Sequence, residues 1–343
     1  RRRRNEGRLD HPARADDRVR FDAEFGRRFS VFVDTEEEFD WASPRSREST
    51  STSAVRHLPE FQRLMDAHGI RPCYLIDYPV ADNPESRAVL AELHAGGTCE
   101  IGTQLHPWVN PPSDEEVNSF NSFVGNLPEE LEKAKLVALT ERIASITSGV
   151  RPTVYRAGRY GVGPNTAKLL EEAGYHADTS VRPHFDYSNE GGPSFLRHDA
   201  RPSWAGPSGQ LLELPLGATY TGQLRRYGRW LIGDGRSNQK RIATLARFGM
   251  VARVALTPED MPIDDVKCAI QWMLRDDLRY FSISFHSPSL APGHTPYVRN
   301  SAELSQFYSW WDKILSFLAT QGIAPASVTE VVEAAWRTRR ALN

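Results

Sequence analysis

Five carboxylic acids stand within residues 34–40, directly after a short apolar run. They are Asp34, Glu36, Glu37, Glu38 and Asp40. Alternate side chains of an extended segment point to the same side, so Asp34, Glu36 and Glu38 could share one face. Carboxylates packed together raise one another's pKa unless a cation lies between them. The run therefore predicts a general base, a metal site or both, with a solvated acidic loop as the alternative.

Two histidines come directly after later predicted strands. His106 stands two residues beyond Gln104, and His286 follows the apolar segment 282–285. A histidine can be a metal ligand or a general acid, although a lone histidine is more often a hydrogen-bonded structural residue. Their placement at strand ends, like that of the acidic run, favours a role in one shared site.

A cationic loop follows another predicted strand. The segment Tyr-Arg-Ala-Gly-Arg-Tyr-Gly at 155–161 contains Arg156, Arg159 and Tyr160. An arginine can bind a carboxylate with two parallel hydrogen bonds, and it favours the charged form of that carboxylate. The loop therefore predicts an arginine clamp for a catalytic acid, with an ordinary surface ion pair as the alternative.

The elements that must position these residues alternate between strands and helices. Apolar, β-branched runs predict strands at 29–33, 72–76, 98–102, from 153, 211–216 and 282–285. Helical spacing, bounded by Pro and Gly, predicts helices at 53–68, 84–94, 128–148, 164–173, 239–251, 263–275, 302–320 and 327–339. Such alternation predicts a parallel sheet covered by helices, either a barrel or an open doubly wound sheet. In both folds sites lie at the carboxyl ends of the strands, and the irregular segment 176–236 is long enough to be a functional loop.

The composition narrows the class of protein. The 343 residues include 42 basic and 44 acidic side chains, a net charge of −2, which argues against nucleic-acid binding. No apolar run approaches the roughly 18 residues of a membrane span, no signal peptide is visible, and the three cysteines have no metal-type spacing. We therefore predict a cytoplasmic protein. Ten arginines and six acids in residues 1–28 predict a flexible basic arm before one domain at 29–340.

Four segments together resemble a known family. They are VDTE at 33–36, CEIGTQLH at 99–106, YRAG at 155–158 and FHSP at 285–288. In this order they resemble the polysaccharide deacetylase (NodB-homology) family. The phrase VDTEEEFDW at 33–41, with LHPW at 105–108, looks like its WalW-like branch. The resemblance spans about residues 29–326.

The resemblance implies an irregular (β/α) barrel, often seven-stranded, that removes N- or O-acetyl groups from a sugar polymer with a divalent metal, usually zinc. Carried over residue by residue, Asp34 matches the general base and Arg156 the arginine that pairs with it. Glu36 matches the acidic metal ligand, and His286 matches the general acid. A metal of this kind activates a water molecule and polarises the carbonyl group.

The chain departs from the family pattern at the metal. The common pattern has two histidines spaced HxxxH after Glu-Ile-Gly, but here Gln104 and Trp108 occupy those positions. His106 lies between them, so the candidate metal ligands are Glu36, Gln104 and His106. Glutamine is a poor zinc ligand.

Three consequences of this departure remain open. Glu38, Asp40 or another group completes the metal site, the metal is held weakly, or the protein no longer catalyses. The main hypothesis is a deacetylase acting on a polysaccharide or cell-envelope glycan. The alternatives are a non-catalytic carbohydrate-binding protein on the same barrel and, more distantly, a metal-free glycoside hydrolase using two of the acids.

Aromatic side chains near the predicted strand ends could stack on sugar rings. The candidates are Trp41, Trp108, Tyr160 and Trp204, and Arg159 could add a polar contact. Packing at the rim of a barrel is the alternative for each of them. The predicted partner is an acetylated oligo- or polysaccharide.

Overall fold

Strands and helices alternate along the chain. The computed structural model describes residues 7–233 and 239–342. The strands are β1 (Arg28–Thr35), β2 (Cys73–Ile76), β3 (Glu100–Leu105), β4 (Val154–Ala157), β5 (Ala177–Asp178), β6 (Ser203–Ala205), β7 (Leu211–Glu213), β8 (Ala218–Thr221), β9 (Ala252–Ala255), β10 (Tyr280–His286) and β11 (Ala324–Pro325). The helices are α1 (Leu58–Ala67), α2 (Tyr78–Asp82), α3 (Pro84–Ala95), α4 (Glu129–Ala144), α5 (Thr166–Glu172), α6 (Gly228–Ile232), α7 (Gln239–Arg247), α8 (Ile263–Arg275), α9 (Ser301–Thr320) and α10 (Val328–Leu342).

The main sheet runs in the order β10-β1-β2-β3-β4-β5-β7-β6, and β11 pairs with β1 beside this path. From β10 to β7 every neighbouring pair is parallel, whereas β6 is antiparallel to β7. The register sets Asp34 opposite His286 and Gln104 opposite Arg156. Parallel strands end on the same side of a sheet, so these four residues are carried to one edge.

The sheet curls because the region beyond β7 returns towards β10. The backbone NH of Gly217 donates to Ser282 at 3.1 Å, and the NH of Ser284 donates to Leu256 at 3.2 Å. Leu256 in turn donates to Gly217 at 2.7 Å. These single bonds, in place of a regular ladder, make the barrel irregular, as the family resemblance implied.

Helices cover the sheet because both of its faces are apolar. The central strand β1 is buried from Phe29 to Thr35, and β2 is buried throughout. Strands that are buried on both faces show continuous apolar runs, and such a run made β1 recognisable in the sequence. One cluster of buried residues, extending from Leu9 to Ile323, forms most of the core.

The strand count and two strand ends need correction. Within residues 7–233 and 239–342 the main sheet has nine strands, against the predicted seven. The seven strands from β10 to β7 form one parallel path, and β11 is parallel to β1 beside it. Strands β6 and β11 are too short, at three and two residues, to leave a pattern in the sequence. Strand β3 extends to Leu105 rather than 102, because a glycine and polar residues at its end are buried by the neighbouring strands. Gln104 therefore lies inside a strand.

The segment predicted to be irregular contains ordered structure. Strands β5 to β8 and helix α6 all lie within residues 176–236. Strands β8 and β9 form a separate two-stranded antiparallel sheet, with α6 and α7 between them. Short elements of this kind carry too few residues for a periodic signal.

The first residues pack against the body of the fold. Leu9 and Phe25 are buried, and the Arg279 guanidinium donates to the backbone oxygens of Phe21, Asp22 and Gly26. The flexible character predicted for residues 1–28 stays a prediction, and residues 1–6 lie outside the described ones. The single domain at 29–340 also stays a prediction. Among the described residues, no helix has the length and apolar character needed to cross a membrane.

Candidate active site

Asp34, near the end of β1, is bound by Arg156 from β4. Arg156 Nη1 donates to Asp34 Oδ1, and both side chains are buried. Arg156 is fixed in turn by Thr179, since its Nε donates to the backbone oxygen at 2.9 Å and its Nη2 to Oγ1 at 3.0 Å. A buried charge requires an opposite charge beside it, and here Asp34 and Arg156 neutralise each other. The second oxygen of Asp34 is left for other groups.

His286, at the end of β10, stands on the other side of Asp34. Its Nε2 lies 3.7 Å from Asp34 Oδ2, and its Nδ1 lies 2.7 Å from Glu259 Oε2. Glu259 Oε1 accepts from the His286 backbone NH at 3.1 Å and from Ser289 Oγ at 2.5 Å. Burial opposes protonation of His286, but Glu259, Glu36 and Asp34 outweigh it and raise its pKa to about 10. His286 is therefore a proton donor in this environment.

Glu36 lies beside this pair and has unsatisfied hydrogen-bonding capacity. Its Oε2 accepts from Gln104 Nε2 at 3.1 Å, but its Oε1 is buried and has no partner among the described residues. Gln104 Oε1 is also buried and unpartnered in that part of the chain. Burial raises the pKa of Glu36 to about 7, against the opposing effect of His286 and His106. Unpaired buried oxygens of this kind are costly and indicate a missing cation or water molecule.

His106, just after β3, is oriented by a second carboxylate. Its Nδ1 lies 2.7 Å from Glu37 Oε2, and Trp108 Nε1 donates to Glu37 Oε1 at 2.9 Å. The backbone NH of Glu37 donates to Asp77 Oδ2 at 2.7 Å. Burial raises the pKa of Glu37 to about 8 and lowers that of His106. The imidazole is thus neutral, and its Nε2 lies 3.4 Å from Glu36 Oε2.

A glycine allows His106 to reach this position. A Cβ added to Gly158, directly after β4, would lie 2.4 Å from His106 Cδ2 and 2.5 Å from the Leu105 backbone oxygen. Only glycine permits such a close approach of the loop to the ring. The Tyr-Arg-Ala-Gly segment therefore contributes both the clamp and the space beside the histidine.

The donors fit a divalent cation. Ligating atoms of Asp34, Glu36 and His286 all lie within 4.8 Å of one another, and His106 Nε2 lies beside Glu36. A metal-bound histidine usually donates its other ring NH to a carboxylate, and Glu37 occupies that position. The unpartnered oxygens of Glu36 and Gln104 supply two more donors. Glu36, Gln104 and His106 are thus together, as predicted; their role as ligands and the identity of the metal stay predictions.

Two acids of the run at 34–40 are used elsewhere. Glu38 accepts from Ser53 Oγ at 2.7 Å and from the Ala54 backbone NH at 2.6 Å. Asp40 accepts from the backbone NH of Ala42 at 2.9 Å. The expectation that Glu38 shares a face with Asp34 and Glu36 is wrong, because the extended backbone of β1 ends at Thr35.

A cavity of about 290 Å³ opens above these groups. Trp41 stands at its wall with its ring edge-on to His286, at 5.0 Å between ring centroids. Arg159 and Tyr160 also line it, and both have positive φ, at 53° and 60°. Residues other than glycine are held in this region only where the surroundings enforce it, often at functional sites.

Two of the predicted aromatic platforms have other contacts. Trp108 is only 2% exposed and stacks on His106 at 4.5 Å, which favours packing over contact with a sugar. Trp204, on β6, packs against Trp336 at 4.7 Å and does not line this cavity. Trp41 and Tyr160 are therefore the better placed of the four candidates.

Sequence reasoning missed Glu259 and Asp77, which help to orient the histidines, and named Glu37 only as one acid of the run at 34–40. Glu259, Glu37 and Asp77 hold His286 and His106, and Arg182 also lines the cavity. Asp77 directly follows β2 and Glu259 follows β9 by four residues. The same search for polar residues after strands could have found both.

Comparison with known proteins identifies the fold. No family model and no curated protein matches the sequence. A candidate glycoside hydrolase/deacetylase from Parabacteroides distasonis matches 92% of this chain and 72% of its own, with a TM-score of 0.55 and 14% identity. A GH57 branching enzyme from Thermococcus kodakaraensis matches 90% of this chain and 71% of its own, with a TM-score of 0.51 and 10% identity. A candidate polysaccharide deacetylase from Mycobacterium smegmatis covers 93% of this chain and 98% of its own, at 16% identity and a TM-score of 0.47.

At these identities the likeness concerns the fold. The irregular (β/α) barrel that the family resemblance implied is confirmed, since the fold is similar to that of a candidate glycoside hydrolase/deacetylase. The WalW-like branch stays a prediction.

Proposed function

We propose that the protein is a hydrolase that removes acetyl groups, N- or O-linked, from a polysaccharide or cell-envelope glycan. One observation carries the proposal: Asp34 is held between the Arg156 guanidinium and the His286 imidazole at the floor of a cavity. A carboxylate with a fixed cation on one side and a protonated imidazole on the other is a base–acid pair. Deacylation needs both partners.

The base is Asp34. Glu36, Gln104 and His106 would hold a divalent cation, which would supply Lewis-acid polarisation of the acyl group and lower the pKa of water. Asp34 Oδ2 accepts the proton of the attacking water, while Arg156 stays on Oδ1 and balances the carboxylate charge. Because Arg156 is itself bonded to Thr179, the carboxylate cannot rotate away during the transfer.

The acid is His286. Its Nδ1 is held by Glu259, so its Nε2 is directed to the region of Asp34 where the leaving group forms. Nε2 donates its proton to the departing nitrogen or oxygen of the sugar. Glu259 supports the positive charge on the ring before the transfer and fixes the ring throughout.

The walls of the cavity suit a sugar. Trp41 lies next to His286, and Tyr160 and Arg159 also line the cavity. Aromatic rings pack on the apolar face of a pyranose, while arginine binds its hydroxyl groups. We assign these three residues to substrate binding.

Gln104 supports a second candidate, a carbohydrate-binding protein without catalysis. Its Nε2 donates to Glu36, which satisfies one oxygen of the acid that would otherwise bind metal. In this alternative the protein binds acetylated oligosaccharide but holds no stoichiometric metal after purification. Metal content and acetate release separate the two candidates.

The test is acetate release from a panel of acetylated oligosaccharides, with Zn²⁺, Mn²⁺, Co²⁺ or Mg²⁺ added in turn. We expect release with at least one metal and none from Asp34→Asn. The matched control is Asp40→Asn, which alters an acid outside the cavity and should leave the rate unchanged. Reducing ends are measured in the same samples, because their appearance without acetate would indicate glycoside hydrolysis instead. Failure of every metal and substrate would contradict the deacetylase proposal.

A further inference from the structure

A strongly basic segment lies between β8 and β9. The basic insertion, residues 222–251, has seven Lys and Arg and one acid, although the whole chain has a net charge of −2. Its described part, 222–233 and 239–251, contains no acidic residue. Arg225 is paired with Asp276 at 2.7 Å, whereas Arg226, Lys240 and Arg247 are exposed. The insertion therefore presents a local positive surface on a nearly neutral protein.

The insertion has a small core of its own. The buried residues Tyr220, Ile232 and Val251 form its centre, and the partly buried residues Leu224, Leu231, Ile242 and Leu245 pack around them. The apolar side of α7 is thus already occupied. Any further apolar residues of the insertion are in excess of what its folding requires.

Such residues are present, and they are large. The exposed side chains are Tyr227 at 61%, Trp230 at 72%, Phe248 at 71% and Met250 at 39%. Large apolar side chains that remain this exposed beside a polar, basic surface mark an interaction site.

Backbone hydrogen bonds bring the two ends of the basic insertion together. The NH of Leu224 donates to Met250 at 2.7 Å, and the NH of Gln223 donates to Gly249 at 3.2 Å. The turn before α6 and the turn after α7 are therefore neighbours. Along the chain, Tyr227 directly follows the exposed Arg226, and Phe248 directly follows the exposed Arg247.

We propose that the basic insertion docks the protein onto the surface of an anionic lipid bilayer. Lys and Arg side chains are attracted to acidic lipid headgroups, and Trp and Phe enter the boundary between headgroups and acyl chains. The structure has both components in one short segment. The contact is at the membrane surface, in agreement with the absence of a spanning helix among the described residues.

The aromatic residues favour a membrane over other anionic partners. A soluble polyanion satisfies exposed arginines but leaves Phe248 and Met250 in water. A second copy of the chain would bring two positive surfaces together, which costs energy. An anionic bilayer is stabilised by both the charges and the apolar side chains.

The docking surface is separate from the cavity. Gly217 and Ala255, at the base of the β8–β9 hairpin, line the cavity, whereas no described residue of the basic insertion does. Each strand has four residues, which corresponds to about 13 Å between the cavity wall and the basic insertion. Docking would therefore hold the enzyme near an envelope glycan without altering its site.

The test is co-sedimentation of the full chain with vesicles of phosphatidylcholine alone and of three parts phosphatidylcholine to one part phosphatidylglycerol. We expect binding to the anionic vesicles only. The double variant Lys240→Glu/Arg247→Glu should weaken it by about tenfold or more, because each basic residue contributes substantially to such binding. Trp230→Ala/Phe248→Ala should weaken it several-fold while acetate release from a dissolved oligosaccharide is unchanged.

The matched controls are Lys313→Glu, an exposed charge on α9, and Phe120→Ala, an exposed aromatic residue elsewhere. Both should bind like the native chain. No sedimentation with anionic vesicles would overturn the proposal, as would equal binding by the aromatic variant and the native chain. Self-association without lipid that Trp230→Ala/Phe248→Ala abolishes would identify a second copy as the occupant. None of these outcomes bears on acetate release, so docking and the proposed catalysis fail independently.

Discussion

Two groups of buried carboxyls lie side by side at the carboxyl ends of the strands, and they are satisfied in different ways. Glu37 and Asp77 lie beside His106, and Glu37 is hydrogen-bonded to its ring. The oxygens of these two acids also accept hydrogen bonds from a tryptophan and from backbone NH groups. Asp34 and Glu36 face the cavity, and Glu36 keeps a buried oxygen without a partner in the described chain. The first group is a completed structural network. The second leaves capacity for a ligand.

The difference distinguishes a group of acids that supports the site from a group that can bind a ligand. Neighbouring acids of one short run, Glu36 and Glu37, have different tasks because they contact different nitrogens of the His106 ring, Nε2 and Nδ1 respectively. Glu37 fixes a ring and is fully used by the protein. Glu36 keeps an oxygen that can bind a ligand from outside the protein chain. Variants in the two groups should therefore fail in different ways.

The largest effect is expected at the cavity. His286→Gln removes the proposed proton donor and should lower the rate by about a hundredfold to ten-thousandfold. The loss should be greatest for N-acetyl substrates, whose nitrogen leaves poorly without a proton, and smallest for esters with good leaving groups. The measurement is kcat for acetate release across such a series. His294→Gln is the control, since His294 contacts Glu38 outside the cavity, and an equal loss for all leaving groups would argue against an acid role.

A smaller effect is expected in the supporting network. Glu37→Gln should lower metal affinity and activity by about tenfold to a hundredfold, because the amide no longer holds His106 with Nε2 directed to Glu36. The readouts are metal titration and acetate release at saturating metal, where much of the activity should return. Glu38→Gln is the matched control and should change neither. An activity loss that excess metal leaves unchanged would assign Glu37 to the reaction itself.

Substitutions of Gln104 test whether this residue belongs to the metal site. Gln104→His places a stronger ligand beside Glu36 and should raise the metal bound per chain, measured by elemental analysis after dialysis. Gln104→Leu is the control of similar size that has no donor atom, and it should lower the metal content. Unchanged metal in both variants would show that residue 104 lies outside the metal site.

The smallest effect concerns a buried carboxyl away from the cavity. Glu132, on α4, accepts from Thr166 Oγ1 at 2.5 Å, but burial raises its pKa from 4.5 to about 7. The folded state therefore binds a proton that the unfolded state releases above pH 4.5, so stability falls as the pH rises from 4.5 to 7. Above pH 7 the cost is about 3 kcal/mol, since one pKa unit corresponds to about 1.4 kcal/mol.

Glu132→Gln removes this titration. Urea unfolding should show the variant more stable than the native chain at pH 8, with a difference that disappears towards pH 5. Glu141→Gln, an exposed residue of the same helix, should match the native chain at both pH values. A native stability that does not change between pH 5 and 8 would show that Glu132 is not strained by its burial, unlike the acids of the cavity.

The positions of the catalytic candidates could be predicted from the sequence. Asp34, Arg156 and His286 each end or follow an apolar strand, and parallel strands end on one side. The structure brings these three residues together, as the resemblance to deacetylases implied. Gln104 was also correctly placed next to Glu36, although it lies inside β3 rather than after it.

The partners of these residues could not be predicted in the same way. Glu38 looked equivalent to Asp34 and Glu36, but the chain leaves the extended conformation after Thr35 and Glu38 binds Ser53 instead. Glu259, which orients His286, comes from an unrelated part of the chain after β9. Contacts of this kind depend on how elements are folded together, and no local periodicity records them.

The sequence by itself determined where polar groups end apolar strands and how strongly the segment 222–251 is charged, because both are properties of neighbouring residues. Only the tertiary structure decided that Asp34 lies opposite His286, that Glu37 supports His106, and that aromatic residues of the basic insertion remain outside its core. The physical reason is register: the pairing of β1 with β10 and the closure of the β8–β9 hairpin are set by packing over the whole sheet.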